Sequence, residues 1–404
     1  MFDGCLLTSE FFRMSVFPPC VCPPRRPTFI MAIWLVTIAI TVPGITLTAA
    51  MAGETGQASS SPILNQQTLF RSGNDSYHTY RIPALLVTQK GTILAFIEAR
   101  KNSRSDHGDI DLMLRRSFDG GRSWSPSQII ADDGEHTMGN PCPVLDRITG
   151  TIWLPFCRDN QQMLVIKSED DGQTWSGPLD ITSTTTRPEW FWFGAGPGHG
   201  IQMENGRLVI PAWGDGVKKL GKVQFSYTFY SDNHGSTWQV NTPLDLDTSD
   251  ECEVVQLVDG RLYMNARSRQ QKHQRAYSFS TNGGRSWSPV QFDERLPEPS
   301  CQGGLIRFTK QPQFQRNRIL LSTPANPSGR ERLTIRLSYD ECQNWPVSKI
   351  LYAASSAYSD LAITTDHHIL TVYEADNSSR IVLARFNLEW LTNGQDHLRS
   401  NPGS

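Results

Sequence analysis

Five copies of one turn pattern, short apolar segments between them and the lack of an amphipathic helical period of useful length predict an all-β fold, a six-bladed β-propeller of four-stranded antiparallel blades. The pattern reads S-x-D/N-x-G-x-x-W. Its copies are SFDGGRSW (Ser117 to Trp124), SEDDGQTW (Ser168 to Trp175), SDNHGSTW (Ser231 to Trp238), STNGGRSW (Ser280 to Trp287) and the degenerate SYDECQNW (Ser338 to Trp345). From one leading serine to the next the chain advances 51, 63, 49 and 58 residues, enough for four short strands and their loops. Five turns and one unmarked unit make six blades, and radial packing protects the sheet edges.

Each copy reads as a hairpin turn in which Ser and Asp side chains bond nearby amides, Gly supplies a positive φ and Trp packs inward. The D-x-D-x-G likeness to a calcium loop stops short, because the closing Glu and flanking helices are absent. Asn233 and Asn282 keep the side-chain carbonyl of the Asp they replace. Cys342 replaces the Gly of the fifth turn and forces either a positive φ on a residue with a Cβ or a reshaped hairpin. Strand candidates outside the turns include Ala84 to Thr88, Thr92 to Ile97, Leu208 to Ala212 and Arg261 to Asn265.

Ahead of the repeats, Arg25-Arg26, an apolar stretch from Phe29 to Val42 and small residues around Ala50-Met51-Ala52 predict an export signal cleaved after Ala52. The stretch is shorter than a spanning helix, and Pro43-Gly44 interrupts it. Residues 1–52 are therefore assigned to an N-terminal extension and signal, residues 53–404 to a single propeller domain, and the mature protein to a secreted or periplasmic location. With 38 basic and 40 acidic side chains intermixed, the chain has no basic block for a nucleic-acid partner. Five cysteines follow Ala52 (Cys142, Cys157, Cys252, Cys301 and Cys342); the odd number leaves at least one thiol free, and there is no C-x-x-C zinc pair.

From Tyr77 to Glu374 the chain carries further motifs in a fixed order: YRIP, FIEAR, SRSDHGDIDL, ECEVVQLVDGRLYMNARS, NPSGRERLTIRLSYD, AAYSDL and VYEAD. With the repeated turn, this set resembles the bacterial and animal exo-α-sialidases that carry Asp-box repeats on a six-bladed propeller. The resemblance implies an arginine triad for the substrate carboxylate at Arg81, Arg267 and Arg330, with Arg332 a neighbouring competitor for the third place. It implies Tyr358 as nucleophile, Glu251 as its proton acceptor and Asp106 as acid and base, with Asp109 and Asp111 as rivals. Arg100 is implied beside the substrate and Glu374 as the partner that orients Arg81, with Glu98 a weaker case.

Elementary chemistry fits these roles. Sialic acid carries a carboxylate on its anomeric carbon, and planar guanidinium groups bind carboxylates by paired, charge-assisted hydrogen bonds. A carboxylate nucleophile would be repelled there, whereas a phenol beside a general base is not. Taken singly, each Arg reads as a solvated surface residue, Tyr358 as a half-buried strand aromatic and Asp106 as a loop carboxylate; their joint placement in matching motifs carries the assignment. The segment WFWFGAGPGHGIQMENGRLVIPAW also resembles the family, but it fails the G-x-G-x-x-G pattern at His199 and lacks the P-loop Lys. Trp190 and Trp192 read as core in preference to an aglycone platform. His199 and His367-His368 have no partners at metal-ligand spacing, so neither metal nor cofactor is expected. The implied activity is a retaining exo-α-sialidase acting on sialylated glycoproteins, glycolipids or oligosaccharides. Transfer to an acceptor, intramolecular release, a preference for deaminated sialic acid, and a non-catalytic glycan-binding propeller are the alternatives.

Overall fold

The repeated turns translate directly into blades. A computed structural model describes residues 61–218 and 221–401; among these described residues the chain forms antiparallel sheets with only two helices, Thr182–Thr185 and Leu388–Leu391. The expected export segment lies outside the described residues. The first blade runs Thr79–Val87, Ile93–Arg100, Ile110–Ser117 and Gln128–Ala131, and the fourth runs Ser249–Gln256, Leu262–Ser268, Gln274–Ser280 and Gln291–Pro297. The second and third have first strands broken in two, Met138–Gly139 with Val144–Leu145 and Trp190–Ala195 with Ile201–Gln202. A seven-stranded sheet is two blades in series. Its long strand Val347–Ile363 pairs up to Ser355 with Glu331–Ser338 of the fifth blade, and from Ser356 with Ile369–Ala375 of the sixth. The N-terminal strand Leu64–Arg71 then pairs with Arg380–Phe386 as the outermost strand of the sixth blade, so both ends of the ring meet in one sheet.

Every marked turn joins the third strand of a blade to its fourth. The leading serine accepts the amide of the fifth turn residue, as Ser168 Oγ does from Gly172 N at 2.9 Å. The Asp or Asn oxygen takes the next amides, as Asp170 Oδ1 does from Gln173 N and Thr174 N. Two consecutive residues adopt positive φ in all five: Gly120-Gly121, Asp171-Gly172, His234-Gly235, Gly283-Gly284 and Glu341-Cys342. The fifth hairpin thus keeps the common shape, with Cys342 at φ 68° bearing the cost of a Cβ there.

Among the described residues the core is six apolar wedges, one between each pair of neighbouring blades, and a small seventh cluster of Ile82, Cys301 and Tyr358. Leu69, Phe70 and Leu383 of the sixth blade meet Tyr80 and Ile93 of the first in one wedge, and Phe96 and Leu114 of the first meet Leu154 and Phe156 of the second in the next. The turn tryptophans Trp124, Trp175, Trp238, Trp287 and Trp345 each pack into the wedge shared with the preceding blade. The sixth wedge has no such turn; Trp390 of the short C-terminal helix packs there instead, 4.8 Å from Phe386. All five described cysteines are buried and free.

Candidate active site

The first strands of the blades line the axis, and the residues near their starts face one end of the ring. Arg81 lies near the start of Thr79–Val87, Glu251 near that of Ser249–Gln256, and Tyr358 near the start of the sixth blade's half of Val347–Ile363. Arg100, Arg267 and Glu374 stand toward the ends of the second strands of the first, fourth and sixth blades. A meander brings those ends back beside the starts of the first strands, which is why residues far apart in sequence converge.

Tyr358 is at the centre. Its hydroxyl donates to Glu251 Oε1 at 2.6 Å, and Arg267 Nη1 reaches both Glu251 Oε2 (3.0 Å) and Tyr358 Oη (3.3 Å). The guanidinium carbons of Arg81 and Arg330 lie 5.0 and 5.4 Å from the centre of the Tyr358 ring. Arg332, at φ 59°, is exposed on a bulge, so of the two competing arginines it is Arg330 that joins the cluster. Ser300, which the motifs do not flag, ties two arginines together: its Oγ accepts from Arg267 Nε (3.0 Å) and its carbonyl from Arg330 Nη2 (3.1 Å).

Glu374, fully buried, accepts Arg81 Nε and Nη2 at 3.1 and 3.3 Å and also the backbone amide of Ile82 at 3.0 Å. Ile82 has φ 58°, a left-handed conformation that a β-branched residue rarely takes, so Glu374 holds a strained Arg-Ile-Pro turn as well as the arginine itself. Asp106 sits on the exposed loop 101–109, where its Oδ1 lies 3.2 Å from Arg81 Nη1 and 2.8 Å from Arg100 Nη1. Its rivals are engaged elsewhere: Asp109 pairs with Lys101, and buried Asp111 accepts from Lys101 and from the Tyr77 hydroxyl. Buried Glu98 binds Arg100 Nη2 (2.6 Å) and the Asn140 amide (2.8 Å), forming a wall of the site.

The electrostatics separate the two carboxylates. Burial raises the Glu251 carboxyl above the usual range, with the charge of Asp250 adding to the rise and Arg267 opposing it. Burial works in the same direction on Asp106, but Arg100 and Arg81 overcome it and hold that carboxyl below the usual range. The Tyr358 phenol is pushed well up by burial and by Glu251.

Tyr358, Glu251, Asp106, Glu98, Arg100 and Arg267 border a polar cavity of about 190 Å³ whose lining adds Thr137, Asn140, Asn160, Trp192, Asp250 and Arg269, whereas Arg81, Arg330 and Glu374 line a second recess. The two tryptophans expected in the core part company here. Trp190 packs on Phe225 and Tyr227, whereas Trp192 lines the cavity and touches His107. A bulge between Trp190 and Trp192 breaks the alternation that would have put both on one face.

Two residues further along the same first strands, Glu253 and Asp360 meet His199, whose Nδ1 is 2.8 Å from Asp360 Oδ1. His199 therefore has acidic partners in space that its sequence neighbourhood does not supply. Both oxygens of each carboxylate take backbone amides, from His199, Leu305, Leu85 and Leu361. The glycine-rich segment serves this contact: a Cβ on Gly198 would lie 1.6 Å from Glu253 Oε1. Beyond it a larger cavity of about 350 Å³, walled by Leu85, Val254, Leu305 and Leu361, opens at the other end of the axis.

The sequence matches the BNR repeat-like domain family over residues 91–370. It is 32% identical to the sialidase of Micromonospora viridifaciens across 91% of this chain, and spans 60% of that longer relative. With the exo-alpha-sialidase of Aspergillus fumigatus it shares 30% identity across 84% of this chain and 94% of the relative. Among solved structures, the Hadza microbial sialidase Hz136 superposes with a TM-score of 0.73 at 27% identity, covering 81% of this chain and 69% of that one. Relatives that align along most of the chain and a solved propeller of the same kind lead to one assignment: the chain belongs to the sialidase family of glycoside hydrolases.

Proposed function

We propose that the protein is a retaining exo-α-sialidase that releases terminal sialic acids from glycoconjugates through a covalent tyrosyl intermediate. The observation that carries this reading is the 2.6 Å hydrogen bond from Tyr358 Oη to Glu251 Oε1 within a cluster of three arginines. Arg81, Arg267 and Arg330 take the substrate carboxylate, which places the anomeric carbon over the Tyr358 oxygen. Asp106 gives its proton to the leaving glycosidic oxygen while Tyr358 attacks and passes its own proton to Glu251. In the second step Asp106 takes a proton from water, the water oxygen displaces the phenol, and Glu251 returns the proton to Tyr358. Two inversions leave the configuration unchanged.

Before substrate binds, Asp106 is ionised by its contacts with Arg81 and Arg100. An incoming carboxylate takes up Arg81 and adds negative charge beside Asp106; both effects raise the acid toward the protonated form it needs.

The test is hydrolysis of a fluorogenic α-sialoside by purified residues 53–404, with NMR of the first-formed sugar and mass spectrometry after inactivation by a fluorinated sialic acid. Turnover with an α-configured product and label on Tyr358 is expected, and Tyr358→Phe lowers kcat by about 10³-fold or more. An inert wild type, a β-configured first product or label elsewhere overturns the reading. The apolar segment before Ala52 supports export, and N-terminal sequencing of protein recovered from culture medium tests it.

A further inference from the structure

We propose that Trp192 is a positioning residue for the acid: through His107 it holds loop 101–109 against the third blade so that the Asp106 carboxyl is presented to the leaving oxygen. The proposal rests on the mechanism above and adds a residue to it. Most of the loop's tethers are on its own side of the cavity. Arg100 Nη1 donates to the carbonyls of Arg104 and Ser105 (2.6 and 2.9 Å), Arg104 reaches the carbonyl of Asn377 in the sixth blade, and Gly108 exchanges hydrogen bonds with Thr137 at 2.8 and 3.0 Å.

These tethers fix backbone on either side of Asp106, not Asp106 itself, whose side chain is 66% exposed. Among the described contacts, the one that carries the loop to the third blade is the ring contact of His107 with Trp192, centroids 4.8 Å apart at 56°. His107 is the residue next to Asp106, and Trp192 lines the same cavity as Asp106 and Tyr358. The bulge at Phe191 is what turns the Trp192 ring out of the core toward the loop. With that contact made, Asp106 rests on Arg81 and Arg100 before substrate binds; once the substrate carboxylate takes up Arg81, the contact keeps the loop, and the Asp106 carboxyl with it, over the cavity beside the leaving oxygen.

Leaving-group chemistry separates this role from others. Umbelliferone departs readily without protonation, whereas methanol and a sugar hydroxyl need it, and a methyl group offers no ring for Trp192 to stack on. Trp192→Ala, Trp192→Phe and His107→Ala in the full chain are compared with wild type by kcat/KM on methyl α-sialoside, sialyllactose and 4-methylumbelliferyl α-sialoside.

Trp192→Ala and His107→Ala are expected to lower kcat/KM at least about tenfold on the methyl and lactose sialosides and less than about threefold on the umbelliferyl one, with Trp192→Phe near wild type. Equal losses on all three mean a structural role, loss on sialyllactose alone means aglycone stacking, and no loss means no role; each overturns the proposal. If Trp192→Ala does not fold, His107→Ala carries the same comparison. A wild type inert on all three substrates strikes the proposed activity instead, so the two failures are distinguishable.

Discussion

In the proposed mechanism Glu251 has to be ionised to receive the Tyr358 proton, and burial has raised its carboxyl, so kcat/KM is expected to decline as pH falls through a value above the ordinary glutamate range. Asp250 adds like charge to that rise, while its own carboxylate faces Arg269 Nη1 at 3.1 Å. Asp250→Asn removes the charge and lowers the Glu251 pKa. The acid limb of the kcat/KM profile is then expected at lower pH than in wild type, with the plateau retained within about tenfold; an unmoved limb contradicts the assignment of Glu251 as base. Neighbouring letters gave Tyr358, Glu251 and Arg81 their candidate roles, because the motifs around them are local strings. Asp250, Ser300 and the partners of His199 were not legible, since each acts through residues brought near only by the ring. Choosing Arg330 over Arg332 from the sequence depended on the spacing of a motif; in space the bulge and the positive φ at Arg332 separate them.

The turns were the most legible elements, because a hairpin whose side chains bond its own amides is fixed by eight consecutive residues. Asp170 shows what the carboxylate adds: hydrogen bonds from Thr174 and Ser168 and the nearby amides hold it down at about 2, against about 3.9 for an unfolded aspartate. Its stabilisation is fully present above the unfolded value and is lost as pH falls toward 2. Asp170→Asn, an exchange the third and fourth turns already make, is expected to lower the melting temperature by roughly 2 °C at pH 7. The gap closes between about pH 4 and 2, as scanning calorimetry across that range would show. In the fifth turn Cys342 pays the left-handed cost and buries its sulfur in the wedge with Tyr263 and Trp345. Cys342→Ala loses the sulfur and keeps the cost; Cys342→Gly loses the sulfur and sheds it. The glycine variant should therefore be more stable than the alanine variant by about 1 kcal/mol in urea unfolding. Trp192 marks where element-level reading failed: strand alternation puts it beside Trp190, and a one-residue bulge does not announce itself in composition.

Six blades follow from five turns because the sixth blade has no hairpin between its third and fourth strands: its fourth strand, Leu64–Arg71, comes from the other end of the chain. That topology explains the one unmarked unit and makes ring closure a bond between the two ends of the fold. It also runs through the site, since Arg81 and Glu374 belong to the first and sixth blades, which meet across this closure. Removing residues 1–72 leaves Arg380–Phe386 as an unpaired edge and takes Leu69 and Phe70 from the wedge they share with Tyr80 and Leu383. Burial of those two side chains alone contributes about 3–6 kcal/mol, a large part of the 5–15 kcal/mol that holds a typical domain together. A chain beginning at residue 73 is expected to bind a hydrophobic dye, to lose its sharp thermal transition and to lose sialoside turnover, whereas one beginning at residue 61 keeps all three wild-type properties. A synthetic peptide of residues 61–72 added to the shorter chain supplies the missing strand and should restore part of the activity in a saturable manner. If the shorter chain melts and turns over like the longer one, the ring does not depend on this strand for closure.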